Sequence, residues 1–164
     1  MLSINFRPAR PADAVAATEM QCRSWQATFT GLVADEVIAE IAAARRANAQ
    51  ERFANPQSTL HVGERAGEIV CLGAFIASDQ ADLPDYLNIK VFYVDPEHFR
   101  QGIGRQFMDY ALNLARAGGY PGVLLDVLEK NHRARAFYES CGFAQDIICG
   151  EWQGLALMRY VMKF

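Results

Sequence analysis

The sequence predicts a mixed α/β fold of about seven strands and about four helices. Three observations lead to it. Short β-branched and aromatic runs recur along the chain, among them Ile89 to Val94 and Val123 to Leu128. Stretches with apolar residues at three- and four-residue spacing lie between some of them. In the second half the two patterns alternate as strand, helix, strand, helix, and a right-handed crossover is the default way to join two neighbouring buried strands.

Taken in order, Ile4 to Arg7 is a short strand, ended by Pro8 and Pro11. From Ala12 the positions Val15, Ala16, Met20 and Trp25 define an amphipathic helix, with Asp13 near its start, where a carboxylate suits the dipole. Gly31 breaks it. A second helical region runs from about Ala34 to Phe53 with Val37, Ile38, Ile41 and Ala42 inward, leaves room for a bend or break, and closes at Asn55-Pro56. Leu60 to Arg65 alternates like a strand, Ala66-Gly67 suits a hairpin turn, and Ile69 to Ala77 returns. Ser78 to Asp85 is a polar loop. A helix from Gly102 to about Ala117 carries Ile103, Phe107, Tyr110, Ala111 and Leu114 on one face and ends at Gly118-Gly119. Asn131 caps a helix from His132 to Ser140 that stops at Gly142. Phe143 to Cys149 and Leu155 to Met162 form the last pair of strands.

The 164 residues fit one domain, 1–164, with 51% hydrophobic and 21% charged residues. A net charge of −3 excludes a general nucleic-acid binder. The N-terminus shows no basic segment followed by an apolar run, and no apolar stretch approaches the roughly 20 residues that cross a bilayer. Cys22, Cys71, Cys141 and Cys149 have no Cys-x-x-Cys spacing and lie mostly in apolar patterns, so they read as reduced core residues, with no metal site expected. The expected location is the cytoplasm.

Chemistry gathers at Val91 to Met108. A strand ends at Asp95-Pro96, a polar loop with Gly102 and Gly104 follows, and a helix begins. The first turn of a helix offers unpartnered N–H groups and the positive end of the dipole, and glycines let an anion approach that backbone. Arg100 and Arg105 flank the glycines and can neutralise phosphate. No Gly-Lys-Ser/Thr follows, which excludes a P-loop. Phe107 stands where a dinucleotide fingerprint needs its third small residue. Another phosphorylated ligand is called for.

The stretch Asn131-His-Arg-Ala-Arg-Ala-Phe-Tyr-Glu-Ser-Cys-Gly-Phe143 has Ala134, Phe137 and Tyr138 on one helix face, as core packing requires. It also resembles the second signature of the GNAT superfamily of N-acetyltransferases, Asn-x-x-Ala-x-x-Phe-Tyr-x-x-x-Gly-Phe, at every fixed position. Val94-Asp-Pro with Gln101-Gly-Ile-Gly104 is similar to the acetyl-CoA pyrophosphate loop of that family. The resemblance implies a mixed, mostly antiparallel seven-stranded sheet flanked by helices, and direct transfer of an acetyl group from acetyl-CoA to a primary amine. The family's usual Gln or Arg at the start of the loop is Phe99 here, so the backbone from Arg100 to Arg105 is expected to carry the binding, with Arg100 compensating.

The same resemblance implies coenzyme contacts from Phe92, Tyr93, Val94, Arg100, Gln101, Gly102, Ile103, Gly104, Arg105 and Asn131. It makes Tyr138 the residue that faces the coenzyme sulfur and serves as general acid to the departing thiolate. Lys130 and Arg133 are near enough in sequence to meet the coenzyme phosphates. Related enzymes often carry a Glu on the strand before the loop, where this chain has Asn88 and Lys90. Glu19, Glu129, Asp126, His98 and a water chain are the candidates for the base, none with a distinctive spacing. The acceptor is expected between the first helices and the last hairpin, walled by Trp25, Phe29 and Tyr86, with Trp152 closing the far end. Trp25 with Gly31-Leu32 also resembles small-molecule acetyltransferases of the phosphinothricin type. A small amine is the favoured acceptor. The alternatives are a protein N-terminus or lysine, and a sensor that binds acyl-CoA without turnover. Oligomeric state is open; members of that family are often dimers, so the resemblance allows a homodimer.

Overall fold

The computed structural model describes residues 3–164. Seven strands form one sheet in the order β1-β2-β3-β4-β5-β7-β6. They are β1 (Asn5–Pro8), β2 (Leu60–Arg65), β3 (Glu68–Ala77), β4 (Leu87–Val94), β5 (Gly122–Leu128), β6 (Ala144–Trp152) and β7 (Leu155–Lys163). Among the described residues five α-helices accompany them: α1 (Ala14–Phe29), α2 (Asp35–Ala47), α3 (Ala49–Ala54), α4 (Ile103–Ala117) and α5 (His132–Ser140). The β1–β2, β2–β3, β5–β7 and β6–β7 ladders are antiparallel, and β4 pairs with β5 in parallel. The mixed, mostly antiparallel sheet expected from the sequence is therefore present.

Most element boundaries fall within two residues of the sequence reading. The helix count rises from four to five because the region from Ala34 to Phe53 breaks at Asn48, whose N–H still reaches Ala44 O while its own C=O starts the next turn by accepting from Arg52 N. Asn competes for the backbone with its own side chain, which favours such a junction. Pro8 lies inside β1, opposite His61 at the end of the ladder, where a missing N–H is tolerated on an edge strand. The face assigned to α1 needs correction. Val15 is 64% exposed and Ala16 is exposed as well, whereas Ala14, Ala17, Met20 and Gln21 are buried. Small Ala14 and Ala17 let the helix approach closely, so Val15 is turned outward.

The chain divides into two compact units. The first comprises Met1–Ala74 with Val91–Phe107, among which residues from 3 onward are described. On one side of its strands Val62 and Leu72 pack with Ala14, Ala17, Met20, Ala49 and Phe53, joined by Val91. Strand alternation turns Phe92 to the other side, where its ring stacks on Phe107 at 5.0 Å and Phe6 stacks on the same ring at 5.5 Å.

The second unit comprises Phe75–Lys90 with Met108–Phe164. Its β5 is buried along almost its whole length, as Val123, Leu124, Leu125, Val127 and Leu128 require. α4 ends on Gly119 in the left-handed region (φ 75°), with Tyr120 N–H bonded to Ala115 O at 3.0 Å. Buried Arg159 on β7 binds Asp82 (Nη2 to Oδ2, 2.6 Å), Gln80 (Nη1 to Oε1, 2.7 Å) and Asp146 (Nε to Oδ2, 2.7 Å), which fastens the loop before β4. Among the described residues no helix is long and apolar enough to cross a membrane.

Candidate active site

In the first unit β4 delivers the chain to the glycine loop. Its parallel ladder with β5 covers Leu87, Asn88 and Ile89, so Phe92, Tyr93 and Val94 lie beyond those registered residues. Asp95 then anchors the turn. It is buried, accepts Glu97 N–H at 3.1 Å, pairs with Arg23 of α1, and sends its own N–H to Val70 O at 2.9 Å. A 3-10 turn (Pro96–His98) leads to Arg100 and Gly102, both in the left-handed region with φ of 61° and 78°. Glycine adopts that conformation freely, while Arg100 does so at some strain.

α4 begins directly afterwards. Gln106 N–H reaches back to Gly102 O at 3.1 Å, so the N–H groups of Ile103, Gly104 and Arg105 belong to the first turn and lack helical acceptors. Such a nest of amides at a positive dipole end fits a pyrophosphate. Two side chains brace the loop. Arg65 Nη1 donates to Gln101 Oε1 at 3.0 Å, and Gln101 Nε2 donates to Glu97 O at 3.4 Å. Arg65 Nη2 also donates to His98 Nδ1 at 3.0 Å; a guanidinium only donates, so that ring nitrogen is the acceptor. The sequence pattern did not expose Arg65, because its partners lie 33 and 36 residues away.

Trp25, Phe29 and Tyr93 come together in this unit. The indole lies 4.3 Å from the Phe29 ring and 6.3 Å from the Tyr93 ring, centroid to centroid. Burial pushes the Tyr93 hydroxyl up to about 12. Glu19 does not suit a base: Arg46 grips both its oxygens, at 2.7 and 2.9 Å, and holds it below the ordinary carboxylate value.

In the second unit, α5 shows why its sequence has the residues it has. Asn131 Oδ1 accepts Ala134 N–H at 3.2 Å, as an N-cap does. At the other end Gly142 has φ 99°, its N–H bonds Glu139 O at 3.0 Å, and Phe143 N–H bonds Tyr138 O at 3.1 Å. This is a Schellman ending, completed by Tyr138 and Phe143 packing edge to face at 6.1 Å. Along the helix, Arg135 Nε donates to the Tyr160 hydroxyl at 3.0 Å, and that hydroxyl donates to Glu139 Oε1 at 2.8 Å. Tyr138 is thus held on a short helix fixed at both ends and along its side.

Tyr86 also belongs to the second unit, with its ring against Gly122, so it is not part of the Trp25 cluster's unit. Trp152 ends β6. Asn88 is buried and its Nδ2 donates to Asp79 Oδ1 at 3.4 Å, while Lys90 Nζ contacts both Asp79 oxygens at 3.1 Å. Asp126 takes the Cys149 thiol at 3.3 Å. Among the described residues no cluster of His, Cys, Asp and Glu could hold a metal ion.

Comparison with known proteins agrees with this geometry. A relative from Mycobacterium tuberculosis, named as a probable N-acetyltransferase, is 27% identical over 160 residues, covering 94% of this chain and 87% of that protein. The mycothiol acetyltransferase of Beutenbergia cavernae is 44% identical over 73 residues, which are 43% of this chain and 25% of that protein. Among solved structures, the PaiA N-acetyltransferase of Thermoplasma acidophilum in complex with coenzyme A superposes with a TM-score of 0.81 at 17% identity, covering 99% of this chain and 100% of that one. The profile of the acetyltransferase (GNAT) family matches residues 18–143. The chain belongs to the acetyltransferase (GNAT) family and is an N-acetyltransferase dependent on acetyl-CoA.

Proposed function

We propose that residues 1–164 work as one acetyltransferase domain in the cytoplasm, moving the acetyl group of acetyl-CoA to the primary amine of a small molecule by direct attack. The first-turn amides of α4 supply the single observation that carries coenzyme binding: Gln106 is the residue that reaches back to Gly102 O, and Ile103, Gly104 and Arg105 are left to receive phosphate oxygens. Acetyl-CoA brings a thioester, whose acyl carbon is open to an amine. The remaining tasks fall to the chain. Phe92, Tyr93 and Val94 offer main-chain groups to the pantetheine arm and the thioester carbonyl, and N–H donors aimed at a developing oxyanion are worth about 3 kcal/mol each. Arg100, Gln101 and Arg105 frame the phosphates, and Asn131 binds the coenzyme while capping α5.

Tyr138 donates its hydroxyl proton to the departing thiolate. Its support is rigidity, since a general acid works only when held in place, and α5 is fixed by its N-cap, its Schellman ending and the Arg135–Tyr160–Glu139 chain. The close set of Trp25, Phe29 and Tyr93 favours a small acceptor over the open groove that a protein N-terminus or lysine needs. The test is Tyr138→Phe. Turnover is expected to fall by about a hundredfold, with acetyl-CoA affinity by calorimetry unchanged. Unchanged turnover removes Tyr138 from the acid role.

A further inference from the structure

The brace between β2 and the glycine loop includes a histidine. His98 closes the 3-10 turn, its N–H bonds Asp95 O at 2.9 Å, and its side chain is 17% exposed, so solvent protons reach it. Arg65 Nη2 donates to His98 Nδ1 at 3.0 Å while Nη1 of the same fork donates to Gln101 Oε1 at 3.0 Å. A guanidinium has no acceptor and stays charged, so this contact exists only while Nδ1 keeps its lone pair. The neutral ring therefore carries its proton on Nε2, which faces Glu68 Oε2 at 3.9 Å.

A second proton removes the acceptor and sets an N–H and a positive charge against Arg65. The groups around the ring do not offset that. Glu68, at the start of β3, is 76% exposed, and water screens it. On α1, which packs on this turn, Arg23 pairs with Asp95 and also attracts Glu97, so those two carboxylates are engaged elsewhere. A charged ring thus turns toward Glu68 and repels the Arg65 fork. The guanidinium is planar and rigid, so both its nitrogens leave together and Gln101 loses its partner as well. Arg65, Gln101 and Ile103 line one hollow of about 340 Å³ with Glu68 and Gln106, which gives the released guanidinium room. Gln101 adjoins Gly102, whose C=O accepts Gln106 N–H at 3.1 Å where α4 begins.

We propose that His98 is a positioning residue for the glycine loop, and that acetyl-CoA binds tightly while its ring is neutral and weakly once the ring is protonated. Reciprocally, acetyl-CoA binding expels the proton. The proposal rests on the coenzyme phosphates lying on the first-turn amides of α4. It differs from a base role, in which His98 meets the amine.

Two measurements test it. The first is calorimetric binding of acetyl-CoA between about pH 5.5 and about pH 8, the range in which an imidazole titrates. His98→Asn keeps an acceptor oxygen near the place of Nδ1 and cannot be charged. On acidification the parent should lose about three- to tenfold more affinity than His98→Asn, the equivalent of the Arg65 bonds. The coenzyme's own phosphates titrate in the same range and act on both proteins alike, so the difference isolates His98. Arg65→Ala should be weak already at the alkaline end and should lack the extra loss in acid. Equal pH dependence in parent and His98→Asn overturns the proposal while coenzyme binding stands. So does a fall in kcat for His98→Asn with affinity unchanged at every pH, the signature of a base.

The second measurement needs no coenzyme. In nitrogen-15 NMR of the free protein the neutral His98 ring should be the Nε2–H tautomer. The amide signals of Gln101, Gly102 and Ile103 should titrate in step with that ring in the parent, and not in Arg65→Ala. That result supports the switch whether or not acetyl-CoA binds. Loop amides that ignore the ring, or that follow it equally in Arg65→Ala, overturn it.

Discussion

Arg65 at the end of β2 donates to Gln101 Oε1 at 3.0 Å, so a hairpin side chain holds the loop that precedes α4. Its second fork nitrogen holds His98 in the same way. Without this brace the loop must be ordered by the ligand itself. Arg65→Ala is expected to weaken acetyl-CoA binding by about three- to tenfold, the equivalent of one or two net hydrogen bonds. Calorimetry measures it, and the melting temperature should move little.

Asp13 receives both Arg7 nitrogens, at 2.7 and 2.9 Å, and the Arg10 N–H at 2.7 Å. The Arg7 guanidinium, opposed by burial, holds its carboxyl below the ordinary 3.8. A depressed folded-state value means that the stabilisation is fully present above the ordinary carboxylate value and is lost as pH falls through the lower folded one. Asp13→Asn should therefore cost about 2 kcal/mol at neutral pH, and the gap to the parent should shrink as the pH falls through the lowered carboxyl value. Urea unfolding at several pH values reads both.

Burial, and then the Asp126 carboxylate, push the Cys149 thiol up to about 11. Cys22, Cys71 and Cys141 are buried, so Cys149 is the accessible thiol. Its alkylation by iodoacetamide near pH 8 should be slower than that of a free cysteine by about tenfold or more, because the thiolate is the nucleophile. Asp126→Asn should speed it. Mass spectrometry of the labelled peptide follows the rate.

Gly122 sits where β5 passes Tyr86 and β7. A Cβ there would come within 2.3 Å of Met162 O and 2.4 Å of the Tyr86 ring. Because one obstacle is backbone, rotating the ring does not relieve it. Gly122→Ala is expected to destabilise the protein by about 1–3 kcal/mol, measured by thermal or denaturant unfolding.

Local signals carried most of the fold. The helix from His132 to Ser140 was legible to its boundaries because Asn131, Gly142 and Phe143 each make a bond within a few residues. β2 was legible for the same reason, ending in the Ala66-Gly67 turn. α1 misled because its inward face is alanine and polar, and hydrophobic periodicity gives no weight to Thr18 or Gln21. In the candidate site, the glycine loop and the Asn131 to Phe143 stretch could be read from the sequence. The pairs that steady it could not. Arg23 with Asp95 and Arg65 with Gln101 span 72 and 36 residues, and an arginine in a sequence looks the same whether it braces a loop or faces water.

The most direct test of the account is thiol release from acetyl-CoA with a panel of small primary amines, coupled to mass spectrometry of the amine. The account predicts release that depends on one class of amine and matches the acetylated product mole for mole. Tight binding of acetyl-CoA with no release for any amine in the panel would contradict it.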